Sequence, residues 1–248
     1  MITDIGTVLW KEMKELLMLQ QAGNKGLLRG PISLIILVGV FGIWMPWQMG
    51  QGWVESPATL LYWAWVPLFL VSSVVAQAFA GERERHTLET LLATRLSDRA
   101  ILLGKVAAAM AYGWGLTLVS LLVGLVTVNI LHGQGRLLLF PAQIGIGILV
   151  FSFLTSLLAA SIGVLISLRA ATVRQAYQTM SLAIMILLFG GIYGLRALPP
   201  EIVAPLMARL STEATTIGLI AALILAVLNG IMLSLAMLRF QRARLILD

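Results

Sequence analysis

The sequence predicts an all-α, polytopic integral membrane protein with six transmembrane helices and an N-terminal interfacial amphipathic helix. Of its 248 residues, 59% are hydrophobic and 11% are charged, whereas soluble domains are typically about half apolar and about a quarter charged. The apolar residues lie in six charge-free runs, each longer than the roughly 20 residues that cross the hydrocarbon core as a helix. These runs show no alternation with period two, which favours helices over the strands of a barrel.

The charge-free runs give approximate bounds for the spans of a single transmembrane domain over residues 1–248. The six spans lie at about residues 31–50, 59–80, 106–131, 142–168, 176–195 and 214–238. Acidic and basic residues interrupt the first twenty positions, so we do not expect a cleavable signal peptide there.

Residues 4–20 are predicted to form an amphipathic helix before the first span. Asp4 can cap its start. A helix with Trp10 and lysines beside an apolar stripe is typical of segments that lie in the membrane interface; a soluble arm packed on another protein is the alternative. The apolar stripe, at helical spacing, consists of Ile5, Val8, Leu9, Met13, Leu16 and Leu17.

The distribution of basic residues predicts the orientation. An even number of spans places both termini on one side, and all of the 17 basic residues except Arg136, Arg196 and Arg209 fall on that same side. Because basic residues are enriched in cytoplasmic loops, both termini are expected to be cytoplasmic. The formal net charge of +6 therefore needs no nucleic acid to explain it.

Aromatic residues cluster on the opposite side, around the end of the first span and the start of the second. Such rings favour the membrane interface, so we expect an outer aromatic belt, with substrate stacking as the alternative. The belt comprises Trp44, Trp47, Trp53, Tyr62, Trp63 and Trp65.

Residues that could carry chemistry are scarce, and we expect neither a catalytic centre nor a metal site. Cysteine is absent, and the two histidines, His86 and His132, are predicted on opposite sides of the membrane. No ionisable residue lies in the middle of a span, which disfavours a proton-driven transporter. Four uncharged polar residues within spans are candidates for a substrate path, although interhelical hydrogen bonds are the favoured interpretation: Gln77, Asn129, Gln178 and Asn229.

A phosphate-binding P-loop is excluded by the sequence around Gly104 and Lys105, the single Gly-Lys pair in the chain. The motif requires glycine five residues earlier and Ser or Thr directly afterwards. The chain has Arg99 and Val106 at those positions. ATP and magnesium, if they are used, must therefore be bound by a partner.

The segment from Gly81 to Lys105 is the one long polar connection on the cytoplasmic side. It begins with alternating acidic and basic residues, which a purely topological positive patch would not require. Ser97 and Asp98 can cap the helix that enters the third span. Its leucines predict a short helix with one apolar face, held between two membrane helices: Leu88, Leu91, Leu92 and Leu96.

This segment resembles the first cytoplasmic loop of the permease subunits of type 2 ABC exporters. The loop of that family has glutamates alternating with basic residues and ends in Gly-Lys. The chain departs from the pattern at His86, Arg95 and Ala100, where the family has glycine, proline and glutamate. The outer helical segment predicted at residues 198–213 also fits the family layout. The matching residues are Glu82, Glu84, Thr87, Leu88, Glu89, Leu91, Leu92, Thr94, Leu96, Ser97, Ile101, Leu102, Gly104 and Lys105.

The resemblance implies a mechanism and a location. Two permeases, as a homodimer or with a paralogue, would pair in the cytoplasmic (inner) membrane of a prokaryote. Each would dock a separate ATP-binding-cassette ATPase subunit, which binds ATP and magnesium, through residues 81–105 and a smaller contact at residues 169–175. The implied coupling residues are Glu82, Arg83, Glu84, Arg85, His86, Thr87, Glu89, Arg95, Arg169 and Arg174.

One other class of function stays open at this point. A membrane scaffold or sensor could recruit a non-ATPase partner through the same 81–105 loop. The sequence does not identify a transported substrate, although an uncharged path favours amphipathic or lipid-like cargo over a bare ion.

Overall fold

The protein is an all-helical bundle in the computed structural model, which describes residues 2–21, 35–85, 87, 95–205 and 213–241. No strand occurs among these residues. Among these residues, five helices are long and apolar enough to cross a membrane, and they are the last five of those given next. The helices are α1 (Ile2–Gln21), α2 (Ile35–Met49), α3 (Gly52–Glu55), α4 (Thr59–Glu84), α5 (Asp98–His132), α6 (Ala142–Ser167), α7 (Val173–Ala197) and α8 (Ala214–Arg239).

The first predicted span is described only in part. Helix α2 is apolar but short, and residues 22–34 lie outside the described part of the chain. Its middle, Gly39–Trp44, is a π-helix, and the Thr127 hydroxyl of α5 donates a 2.8 Å hydrogen bond to the carbonyl of Gly42. An outside donor of this kind compensates for irregular backbone bonding at membrane depth. Five of the six predicted spans are therefore present as full-length helices.

The helices on either side of the predicted 81–105 connection are longer than the charge-free runs. Helix α4 continues through Glu84, and α5 begins at Asp98. The predicted cap of α5 is confirmed, because the Ser97 hydroxyl accepts a 3.3 Å hydrogen bond from the Ala100 amide. Helix α1 begins at Ile2, so Asp4 lies inside its first turn rather than before it. The predicted short helix with Leu88, Leu91 and Leu92 lies outside the described residues.

The core is formed by α4, α5 and α6. The most apolar stretches of α4 and α6 are 56% and 50% buried, against 11% for α7 and α8. Glycines let these helices approach closely: a Cβ on Gly113 of α5 would lie 2.5 Å from Val71 Cγ2 of α4. Helices α7 and α8 are therefore peripheral and leave broad apolar faces uncovered.

The predicted aromatic belt is wrong for two of its members. Trp53 and Trp63 are each only 1% exposed and pack edge to face, with ring centroids 6.0 Å apart. The chain reverses at Gly50, whose φ of +55° favours glycine, and α3 then carries Trp53 back onto the bundle. Gly124 makes room there, since a Cβ on it would lie 2.5 Å from the Trp53 ring. Trp44 stays exposed, at 53%.

The outer helical segment predicted at residues 198–213 is described only in part, and residues 200–205 of it are helical. The rest of that segment, residues 206–212, lies outside the described part.

Candidate functional site

Three helices meet around the ammonium group of Lys105, eight residues into α5. Lys105 Nζ lies 2.8 Å from Glu12 Oε1 of α1 and 2.8 Å from Glu82 Oε1 of α4. It also donates a 3.0 Å hydrogen bond to the carbonyl of Ala78 in α4. All three N–H groups of the ammonium thus have an acceptor. We call Glu12, Glu82 and Lys105 the Lys105 cluster, and its side of the bundle the basic end.

The Lys105 cluster is removed from solvent. The exposed fractions of the three side chains are 0% for Lys105, 7% for Glu12 and 15% for Glu82. Buried ions are tolerated only with close partners and hydrogen bonds, which the cluster provides, although Glu82 Oε2 has no partner among the described residues. Lys11 extends the cluster toward solvent, at 3.6 Å from Glu12 Oε1 and 3.3 Å from Glu15 Oε1.

The charge of Lys11 is stabilised by these neighbours. Burial lowers its pKa, but the negative charges of Glu12 and Glu15 outweigh that effect and the pKa is raised overall. Lys11 therefore remains a cation at neutral pH and adds positive charge beside two carboxylates.

Two aromatic rings connect the Lys105 cluster to the last helix. Lys105 Nζ lies 5.6 Å from the centroid of the Phe79 ring, within the range of a cation–π contact. Phe79 packs edge to face on Phe240, which directly follows α8, with ring centroids 5.8 Å apart. Phe79 and Phe240 are each 2% exposed. The cluster therefore joins α1, α4 and α5 and reaches the end of α8.

Gly104, next to Lys105, lets α1 lie directly against α5. A Cβ at this position would lie 2.6 Å from Val8 Cβ and 3.2 Å from the carbonyl oxygen of Ile5. Val8 itself is 3% exposed. The Gly104-Lys105 pair thus has a structural function here. The glycine lets α1 approach α5 closely, and the lysine binds Glu12 of α1.

A second set of contacts joins the last turn of α4 to the connection between α6 and α7. Arg83 Nη1 donates a 2.7 Å hydrogen bond to the Leu168 carbonyl. Glu84 Oε2 accepts a 3.0 Å hydrogen bond from the Val173 amide, one of the free amides at the start of α7, where a carboxylate is favourable. The structure thus brings together the two segments in which coupling residues were predicted. We call these two hydrogen bonds the α4–α7 brace.

The connection that receives the α4–α7 brace has its own internal hydrogen bonds. Gln175 Oε1 accepts from the Ala171 amide at 3.0 Å, and the Gln175 amide donates to Thr172 Oγ1 at 3.2 Å. Thr172 therefore caps the start of α7. These hydrogen bonds fix the shape of the turn independently of its contact with Glu84.

None of the other predicted coupling residues that the structure describes takes part in the two hydrogen bonds of the α4–α7 brace. Thr87 donates from its amide and its hydroxyl to the Glu82 carbonyl, at 2.9 and 3.3 Å. His86 and Glu89 lie outside the described residues. Four arginines are exposed to solvent, namely Arg85, Arg95, Arg169 and Arg174.

Two of the predicted path residues have structural hydrogen bonds. Asn129 donates to the Leu138 carbonyl at 2.8 Å and accepts from the Leu138 amide at 2.7 Å, so it closes the connection between α5 and α6. Asn229 is 2% exposed and donates at 3.0 Å to the Leu154 carbonyl, which joins α8 to α6. The Asn229 bond links two helices, as the favoured interpretation expects, whereas Asn129 bonds a connecting segment.

The other two predicted path residues, Gln77 and Gln178, are exposed. They follow small residues of one buried cluster, which includes Ala76 of α4 and Ala176 of α7. The four predicted path residues therefore lie on four different helices, and only Gln77 and Gln178 lie near a common helix crossing.

Sequence reasoning missed Glu12 as a member of the site and gave Lys105 no role in it. The signal was present, because Glu12 falls within the apolar stripe of α1, four residues after Val8 and four before Leu16. A carboxylate on the buried face of a helix needs a cation. Lys105 likewise interrupts an apolar run that includes Leu102 and Val106.

Chemically, the site is a network of ion pairs and hydrogen bonds that fixes helices to one another. Among the described residues, no group of three His, Cys, Asp or Glu side chains could hold a metal ion.

A comparison with known families assigns the chain. The family model described as ABC-2 family transporter protein matches residues 51–239, which include α3 to α8 and the α4–α7 brace. No curated protein matches the chain. The match covers more than half of the sequence, and it agrees with the resemblance carried by residues 81–105. The chain belongs to the ABC-2 transporter family and is a multi-pass membrane permease component of an ABC transporter.

Proposed function

We propose that the chain is the permease subunit of an exporter and that a separate ATPase subunit drives it from the basic end. The observation that carries the proposal is the α4–α7 brace. It holds the start of the 81–105 connection and the 168–175 turn as one surface, so a subunit that docks there pushes on α4 and α7 together. The exposed arginines next to its residues in the chain, Arg85, Arg169 and Arg174, are available to acidic groups on that subunit.

The helices provide a route for the movement. Helix α4 is continuous from Glu84 at the basic end to Thr59 near the other end, and it packs against α5 and α6 along its length. Closure of two ATPase subunits around ATP and magnesium would displace this core relative to a second permease copy. Access to a path between the two copies would then alternate.

Gln77 and Gln178 are the candidates we favour for lining this path. Both are exposed on helices that cross the membrane, where contact with lipid alone would leave an amide without hydrogen-bond partners. A water-containing path between two copies would supply those partners. The side-chain amide nitrogens of Asn129 and Asn229 already donate within the bundle, which supports a structural role for both.

We place the basic end in the cytoplasm, with both termini on that side, because the basic residues concentrate there. The inner membrane of a prokaryote is the location that the family resemblance implies. The exposed face of α1 carries Ile2 and Trp10, which are 86% and 72% exposed, and Lys14. Val8 and Leu16, on the opposite face, pack on the chain itself. The exposed face is suited to the inner leaflet, where apolar and aromatic groups enter the headgroup region and lysine meets anionic lipid.

Purification tests the proposal directly. We expect the tagged chain, extracted from its native membrane with mild detergent, to retain a subunit that carries a Walker motif and hydrolyses ATP. A retained kinase, protease or other non-ATPase partner would instead support the scaffold or sensor. Failure of any ATPase to co-purify, with the chain itself intact and folded, would contradict the proposed function.

Glu84→Ala is expected to weaken docking by roughly fivefold, the lower end of typical coupling effects between sites. The change removes the carboxylate that binds the Val173 amide, so the two halves of the docking surface are no longer fixed to each other. The measurement is the amount of ATPase subunit retained per permease. Glu201→Ala is the matched control, since Glu201 is an exposed glutamate on the other side of the bundle. Equal retention in both variants would show that the α4–α7 brace is not part of the docking surface.

A further inference from the structure

We infer that α1 is a third moving element of the permease and that the Lys105 cluster makes α1, α4 and α5 one rigid body. The inference rests on the proposed function and extends it, because α1 lies outside both segments in which docking was predicted. Glu12 and Lys105 are positioning residues in this scheme. They hold α1 to the helices on which the ATPase acts.

Apolar packing holds α1 at few fully buried points. Among the described side chains of α1, Val8 is the one buried apolar residue, and it lies against Gly104. The contacts of Lys105 are directional. Its ammonium has acceptors on two helices at 2.8 Å, and a shift of one residue in α1 would remove Glu12 from reach.

The position of Glu82 connects the Lys105 cluster to the docking surface. Glu82 is in the last turn of α4, directly before Arg83 and Glu84 of the α4–α7 brace. A displacement of this turn by the ATPase therefore moves a carboxylate that shares the Lys105 ammonium with Glu12. Helix α1 must follow, or a buried ion pair must break, which is strongly unfavourable.

The absence of cysteine from the sequence makes a distance measurement straightforward. Spin labels are placed at Thr7→Cys, on the exposed face of α1, and at Ile130→Cys, which replaces a 76% exposed residue near the far end of α5. At 1.5 Å per residue, the 26 residues from Gly104 to Ile130 put the labels about 40 Å apart along α5. Labelled chain is diluted with unlabelled chain, and the complex with its ATPase is placed in lipid nanodiscs. Distances are recorded without nucleotide and with magnesium, ATP and vanadate.

We expect one narrow distance distribution, with the same mean in both states. In the neutral triple variant E12Q/E82Q/K105M, we expect the narrow peak to be lost while the complex still assembles. This variant has no unpaired buried charge, so it folds where K105M alone can fail. Glu15→Gln is the matched control, because Glu15 is on the same helix but is half exposed and pairs with Lys11; its distribution is expected to stay narrow.

Two results would overturn the inference. One is a narrow peak that persists in the triple variant, and the other is a wild-type distance that changes on trapping with vanadate. Failure of the proposed function is distinguishable from both. If no ATPase co-purifies, the nucleotide-free comparison of wild type and triple variant still decides whether the Lys105 cluster fixes α1 to α5.

Discussion

Lys105→Met is expected to lower the free energy of unfolding by about 3–5 kcal/mol, the typical effect of removing one partner from a buried ion pair. Methionine fills most of the volume of the lysine stem, so the loss is mainly electrostatic. Glu12 and Glu82, 7% and 15% exposed, would be left close together without their cation. The free energy of unfolding is measured on the detergent-solubilised chain, by equilibrium unfolding or by thermal unfolding.

Two further variants separate charge from packing in this prediction. Lys14→Met makes the same substitution at an exposed position of α1 and is expected to leave the unfolding transition unchanged. The triple variant E12Q/E82Q/K105M is expected to recover most of the lost stability, because neutral groups in place of a buried ion network are often tolerated. Equal destabilisation by K105M and the triple variant would show that the lysine stem, and not its charge, stabilises the bundle.

The transmembrane helices could be predicted from the sequence because hydrophobic burial in lipid depends on the composition of each run. Their ends could not. The residues Glu82, Arg83 and Glu84 are polar and therefore end a charge-free run, but glutamate and arginine are good helix formers, and α4 continues through them. The charged residues that set the predicted boundary are thus part of the helix, and their side chains make contacts at its end.

The contacts of the site depend on which helix faces meet, and sequence periodicity does not give that. The 81–105 pattern singled out Arg83 and Glu84, but their acceptor and donor, at Leu168 and Val173, are backbone groups with no sequence signature. Trp53 was misplaced for a related reason. Its position depends on the turn at Gly50 and on the gap at Gly124, which are features of three-dimensional packing.

Gly113→Leu is expected to destabilise the bundle through a steric clash between α5 and α4. A Cβ here would lie 2.5 Å from Val71 Cγ2 and 3.2 Å from the Val71 amide nitrogen. Val71 is fully buried, and backbone cannot move aside as a flexible side chain can. Overpacking of this kind typically costs about 1–3 kcal/mol and occasionally more, and α4 must separate from α5 to relieve it.

Gly115→Leu is the matched control for Gly113→Leu. Gly115 lies two residues further along α5, with no neighbouring atom within 4 Å of an added Cβ. The gain in helix propensity on replacing glycine is the same at both positions, so the difference in unfolding free energy between the two variants reports the α4–α5 contact alone. Equal stability would mean that the two helices are not closely packed at Gly113. Since α4 and α5 also flank the docking segment, a separation there should reduce retention of the ATPase subunit in the Gly113 variant while the Gly115 variant retains it fully.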